Sequence, residues 1–333
     1  MTSPELVDAM QVTATRLLER HLGKAKEWFP HELVPWARGR DFEPGEDWRP
    51  DEPLPAAVRS ALWVGLLTED NLPHYFHALA SIFPPESAMG EWTRRWAAEE
   101  GRHAIVIRDW VSVTRSLDPV ALERARMRQV AIGFDQASRN ETIADAVVYV
   151  ALQELATRIA HWNTGRHLDA TGAAVMRRVA ADENLHFLFY RDLATVLLEV
   201  DPSAAMLAID RQVTSFAMPG AGIAEFARHA SLIAASGIYD VAVHYEQILL
   251  PVVLRHWRVE AVEGLSPEAE QARQHLLRHV ARVRRVAERA RAVSGPGLAP
   301  GPWSPPEDDG RGGATCGPPT GGTAGDGRPS PLE

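Results

Sequence analysis

Glu100 and His103, and again Glu183 and His186, set a carboxylate and an imidazole three residues apart. Each pair follows a single glutamate by about thirty residues, Glu69 in the first case and Glu154 in the second. Residues three apart share one face of an α-helix, about 4.5 Å apart along its axis, so each Glu-x-x-His can offer two ligands to one metal ion. A lone Glu-x-x-His arises readily by chance; the placement carries the information. Glu69 and Glu100 lie equally far from Pro84-Pro85, and the midpoint of Glu154 and Glu183 falls beside the Asp169–Gly172 break. If each stretch folds back as an antiparallel hairpin, both hairpins bring one Glu and one Glu-x-x-His to mid-height. Four carboxylates and two imidazoles can then hold two divalent ions inside a four-helix bundle.

The surroundings favour that reading. Val147, Val148, Val150, Leu152 and Leu155 surround Glu154 in the sequence, and an unpaired charge in such an apolar setting is strongly disfavoured unless something neutralises it. Oxygen and imidazole donors without thiolate suit iron or manganese. Other histidines read differently: His74 and His77 have no carboxylate repeat and are assigned to packing or surface roles. His275 and His279 fall on an arginine-rich stretch that reads as a solvated face.

The elements that must position these residues are helical. The pattern predicts helices from residue 3, capped at Ser3-Pro4, then at about 56–83, 86–115, 119–131, 140–169, 172–200, 202–216, 223–236, 239–258 and 266–293. Residues 30–55, rich in Pro, Trp and acids, read as an irregular connector. Alternating strand patterns are essentially absent, so the fold class is all-α. Residues 294–333 form a Gly/Pro-rich tail that reads as disordered: residues 295–333 hold 11 of the 24 glycines and 9 of the 24 prolines. The folded domain is placed at 1–293.

Composition narrows the classes. A net charge of -9 argues against nonspecific nucleic-acid binding. No apolar run is long enough to insert in a membrane and no leader pattern opens the chain, which predicts a cytoplasmic protein. Cys316 is the single cysteine; it excludes an intramolecular disulfide framework and a thiolate cluster, and its place in the tail speaks against a catalytic thiol.

At Thr-Glu-Asp-Asn-Leu-Pro-His-Tyr (68–75), Trp-Ala-Ala-Glu-Glu-Gly-Arg-His (96–103), Gln-Glu-Leu-Ala-Thr (153–157) and Ala-Ala-Asp-Glu-Asn-Leu-His (180–186) the chain resembles the soluble acyl-[acyl-carrier-protein] desaturases. Gly-Ile-Tyr-Asp (237–240) and Leu-Arg-His-Trp-Arg-Val (254–259) continue the likeness, which runs from about residue 15 to 293. The resemblance implies a ferritin-like four-helix bundle core with additional helices, holding two Fe ions on Glu69, Glu100, His103, Glu154, Glu183 and His186. It implies an enzyme that uses dioxygen and electrons from a ferredoxin-type donor to introduce a double bond into a chain carried on acyl carrier protein, in fatty acid biosynthesis, as a homodimer. Thr157 matches a threonine beside the oxygen-binding face, and Trp28, His103 and Asp182 match a route for electrons. Asp182 also suits the orientation of a ligand histidine. Ala78, Ser81, Ala146 and Val147 occupy positions that line the family's acyl tunnel.

The departures are specific. Asn184 and Leu185 stand where the family carries Lys and Arg, and Gly101 replaces Asn. The ligands survive, and the substrate is the softer expectation. Alternatives are a related di-iron oxidase or hydroxylase on a carrier-bound or free substrate, a ferritin-like iron-binding protein without organic substrate, and an inactive carrier-binding homologue. Because the carrier is acidic, Arg38, Arg40, Arg94, Arg95 and Arg102 are the candidate docking residues.

Overall fold

The computed structural model describes residues 4–133 and 142–294. Ser3, the predicted cap, and the tail with Cys316 lie outside the described residues. The ordered elements are α1 (Pro4–Leu22), α2 (Pro30–Leu33), α3 (Ala56–Glu69), α4 (Leu72–Ile82), α5 (Ala88–Val113), α6 (Pro119–Ile132), α7 (Ile143–Gly165) and α8 (Ala170–Val200). They continue with α9 (Pro202–Thr214), α10 (Phe226–Ala235), α11 (Val241–His244, running on as a π-helix to His256) and α12 (Pro267–Ser294). No strand occurs among the described residues.

Four helices form the core. α5 packs on α3 and on α8, α8 on α7, and α7 on α3, closing a ring. The two predicted hairpins supply it. In the first, Ser87 Oγ caps α5 by accepting from Gly90 N at 3.0 Å and donates to Pro84 O at 2.6 Å, so the Pro84-Pro85 turn is tied to the helix it launches. In the second, Asp169 accepts from Gly172 N at 2.9 Å. That turn spans 166–169, slightly earlier than expected. α7 opens at Thr142 with a capping box shared with Asp145. α1 covers α5 and α8, α9 lies on α7, and α10 lies on α3.

Two predicted helices are not continuous. The stretch 56–83 breaks at Asp70-Asn71, directly after Glu69. Pro73 explains it, because its ring would collide with the Glu69 carbonyl four residues back and it offers no N–H to it. The stretch 239–258 widens to a π-helix over Tyr245–His256 with Pro251 inside, where the looser register tolerates a missing donor. The 30–55 connector is irregular apart from short turns. It is pinned by Arg115, which is buried, carries a left-handed backbone (φ 51), lies 4.1 Å over the Phe42 ring and pairs with Glu46.

Apolar packing falls into two cores. One gathers Met89, Trp92 and Trp96 from α5 with Phe187, Phe189, Tyr190 and Leu193 from α8. The other gathers Val106, Ile107 and Trp110 from α5 with Val175, Met176 and Val179 from α8 and most of the buried face of α3. α5 and α8 run in opposite directions, so the residues between these sets, 99–103 on α5 and 182–186 on α8, meet at the waist.

Gly90 and Gly101 test this packing in opposite directions. A Cβ at Gly90 would lie 2.2 Å from Pro84 O and 2.8 Å from Pro85 Cα, all backbone, so Gly90→Ala is expected to cost about 1–3 kcal/mol. At Gly101 an added Cβ meets nothing within 4 Å, and Gly101→Ala should stabilise by about 0.5–1 kcal/mol through helix propensity. Thermal denaturation of both variants checks the pair; a stable Gly90→Ala would refute the tied turn.

Candidate metal centre

The six predicted ligands come together at this waist. Glu69 closes α3, Glu100 and His103 sit mid-helix on α5, Glu154 on α7, and Glu183 and His186 on α8. All six are buried. They form two overlapping groups, Glu69–Glu100–His103–Glu183 and Glu100–Glu154–Glu183–His186, and within each the candidate donor atoms lie within 4.8 Å of one another. Glu100 and Glu183 belong to both groups. His103 Nδ1 is 3.1 Å from Glu100, 3.6 Å from Glu183 and 3.7 Å from Glu69. His186 Nδ1 is 2.8 Å from Glu100 and 3.8 Å from both Glu154 and Glu183.

The residues fit a pair of metal ions. Glu100 Oε1, Glu154 Oε2, both Glu183 oxygens and His186 Nδ1 are buried without a well-formed hydrogen bond, which is costly for groups of this kind. The ionisation behaviour agrees. Burial pushes the Glu183 carboxyl well above its ordinary range, and the nearby Glu100 and Glu154 carboxylates push it further. Burial alone would lower both imidazoles, yet Glu100 and Asp182 outweigh it at His103, and Glu100, Glu154 and Glu183 outweigh it at His186. Both histidines end well above their ordinary value. The charge balance of the cluster thus calls for protons or cations.

The outward edges of the imidazoles are held crosswise. His186 Nε2 meets Glu99 at 2.9 Å, and His103 Nε2 faces Asp182 at 3.6 Å. Each motif is an acid followed by Glu-x-x-His, and the leading acid of one supports the histidine of the other. Burial opposes ionisation of Glu99, but hydrogen bonds from His186 and His21 hold it well below the usual carboxylate range. Asp182 is lowered likewise, by His103 and Arg178. Trp28 Nε1 donates to Asp182 at 2.8 Å, so Trp28, Asp182 and His103 are in contact one after another, with Arg102 4.8 Å over the indole.

Three supporting residues had not been assigned to the site. Glu99 is legible as the acid preceding Glu100. Trp96, one turn before Glu100, donates Nε1 to Glu154 at 3.0 Å. His161, two turns after Glu154, contacts Glu69 at 2.9 Å. Their helical spacing was the available signal. Thr157 is not among the six. Its hydroxyl donates to Gln153 O at 2.9 Å and accepts from Gln153 Nε2 at 3.0 Å.

Thr157 does line a cavity of about 110 Å³, together with Gly65, Thr68, His161, Met218 and Tyr239. His161 thus joins cavity wall to cluster. Ala78, Ser81, Ala146 and Val147 do not line it, and Ser81 is exposed. Asn184, one of the departures, accepts from Arg158 Nη1 at 3.0 Å, and burial lowers that guanidinium to about 10. His74 contacts Val130 O at 2.7 Å.

Fold and site together define a helical-bundle protein with a buried carboxylate–histidine site of the di-metal kind. The sequence model of the fatty acid desaturase family matches residues 2–296, and the chain belongs to this family, the acyl-[acyl-carrier-protein] desaturases. DesA1 of Mycobacterium tuberculosis, provisionally named an acyl-[acyl-carrier-protein] desaturase, is 38% identical over 286 residues, 83% of this chain and 84% of its own. Stearoyl-[acyl-carrier-protein] 9-desaturase 6 of Arabidopsis thaliana is 32% identical over 242 residues, 68% of this chain and 61% of its own. The crystal structure of M. tuberculosis DesA2, also provisionally named a desaturase, superposes with a TM-score of 0.65 at 25% identity, covering 80% of this chain and 99% of that one.

Two outcomes follow from the crosswise bracing and the raised positions of His103, His186 and Glu183. Anaerobic loading with Fe(II) near neutral pH should release protons, and affinity should rise with pH, because His103, His186 and Glu183 must lose theirs to bind; a pH-stat titration reads both. Glu99→Ala should weaken iron binding by about 10–100-fold with helicity retained, measured by competition with a chelator.

Proposed function

We propose that the protein is a di-iron, dioxygen-dependent desaturase acting on an acyl chain carried on acyl carrier protein. The observation that carries this reading is the paired ligand groups sharing Glu100 and Glu183, buried beside a cavity whose wall reaches the cluster through His161.

Glu69, Glu100, His103, Glu154, Glu183 and His186 would hold two irons, which when bound and reduced supply the oxidising chemistry with dioxygen. The net reaction balances: two hydrogens leave adjacent carbons, and dioxygen with two electrons and two protons becomes two waters. The chain's own residues supply position and dryness. Glu99 and Asp182 fix the two imidazoles, while Trp96 and His161 fix the terminal carboxylates Glu154 and Glu69. The two apolar cores exclude water from either end of the site, and the cavity would take the segment of the acyl chain that reacts. Thr157 offers a hydroxyl on the cavity wall, one turn from Glu154, where it can hold or pass a proton. Trp28 through Asp182 to His103 is the path assigned to electrons, delivered by a ferredoxin-type donor.

Glu154→Ala and His186→Ala should each lower product formation by at least about 100-fold with helicity retained and iron content reduced. Mass spectrometry of the acyl product of the unaltered chain separates loss of two hydrogens, expected here, from gain of oxygen, the hydroxylase outcome. Unchanged turnover and iron content in both variants would remove the site assignment.

A further inference from the structure

The five arginines expected to meet the carrier are engaged within the chain. Arg38 pairs with Asp169 at 2.5 Å, Arg40 with Asp51 at 2.7 Å, and Arg95 with Glu99 at 2.5 Å. Arg94 donates to Pro85 O at 2.6 Å, and Arg102 pairs with Asp182 at 3.3 Å. Arg38 and Arg94 meet turns, Arg95 and Arg102 meet acids beside the site, and Arg40 meets the connector.

A different set is available on α12. Its buried stripe is Ala269, Ala272, Leu276, Val280 and Ala287, packed on α9, α11 and the π-helix. On the opposite face Arg278, Arg282, Arg285 and Arg289 recur at spacings of four, three and four, all exposed. Such spacing keeps side chains on one face, and the row spans about 16 Å. The neighbouring Arg273, Arg284 and Arg291 are paired with Glu270, Glu288 and Glu246. The four in the row have no carboxylate within ion-pair distance among the described residues. In a chain of net charge -9, four unpaired arginines in register form a strong local positive field that invites an acidic partner. On the packed side of the same helix, Arg291 reaches Asp240 at 4.0 Å, next to Tyr239 of the cavity wall.

We propose that the Arg278–Arg282–Arg285–Arg289 face of α12 is the docking surface for acyl carrier protein, receiving an acidic face of the carrier. This rests on the acyl-carrier reading above. The carrier is acidic, and a single basic helical row offers such a partner one continuous face. Arginine forks suit carboxylates geometrically. Charges of this exposed kind act mainly on encounter and complex lifetime, leaving the chemical step alone.

The test is steady-state turnover of acyl-carrier substrate by the iron-loaded chain at low salt. R282E/R285E should raise KM by at least about tenfold with kcat within about twofold. The difference should shrink at high salt, as screening shortens the reach of the field. The milder R278Q/R289Q should shift KM in the same direction, and R177E, exposed on α8, should leave it unchanged. Iron content and circular dichroism should match the unaltered chain in every variant. Unchanged KM in R282E/R285E, or an equal rise in R177E, overturns the docking surface while leaving the desaturase reading intact. Loss of binding to phosphatidylglycerol vesicles with carrier KM untouched also overturns it, assigning the row to a lipid surface. Absence of carrier turnover by the unaltered chain overturns both readings.

Discussion

A cluster of four carboxylates and two imidazoles, buried between two apolar cores, is the constraint on which the rest of this structure depends. Like charges at such distances cannot persist in a dry interior unless cations or protons offset them. The fold is arranged around that demand. α5 and α8 bury apolar side chains on either side of one polar level, and α3 and α7 bring their glutamates to it. Moving one helix by a turn would leave a carboxylate facing Leu or Phe and an apolar side chain facing the cluster, both unfavourable. The site therefore sets the register of the bundle as much as the bundle presents the site.

The second-level contacts show the same economy. Each acid-Glu-x-x-His motif gives its glutamate to both ligand groups, its histidine to one, and its leading acid to the histidine of the opposite helix. α5 and α8 are thereby locked to each other through Glu99–His186 and Asp182–His103. Trp96 and His161 do the same for the single glutamates of α7 and α3. Preorganisation of this kind leaves the ligands little freedom to rotate away, which matters for a site that must accept ions whose geometry the protein is to control.

Much of this was legible in the chain. The two Glu-x-x-His motifs, their leading glutamates, the two turn signals and the apolar run around Glu154 sufficed for a four-helix bundle with these six residues at its centre. The signals were local and periodic, and helices translate such signals directly into shared faces. The helix break after Glu69 was also present in the sequence, in Pro73, but the apolar pattern on either side masked it. Glu99 was visible beside Glu100, yet its partner was not, because the bond to His186 crosses between helices 87 residues apart.

The sequence by itself determined which residues can ligate, that they lie on helices, and that folding at Pro84-Pro85 and near Asp169 brings them level. Spacing of three and four residues and the chemistry of Glu, His and Pro are enough for that. Tertiary structure alone decided that Glu100 and Glu183 fall in both ligand groups, the crosswise support of the histidines, and which wall of the bundle carries the cavity. It also decided which arginines are spent on internal acids and which remain on α12. Those outcomes depend on how helices distant in the chain are rotated against one another, and no local periodicity encodes that rotation.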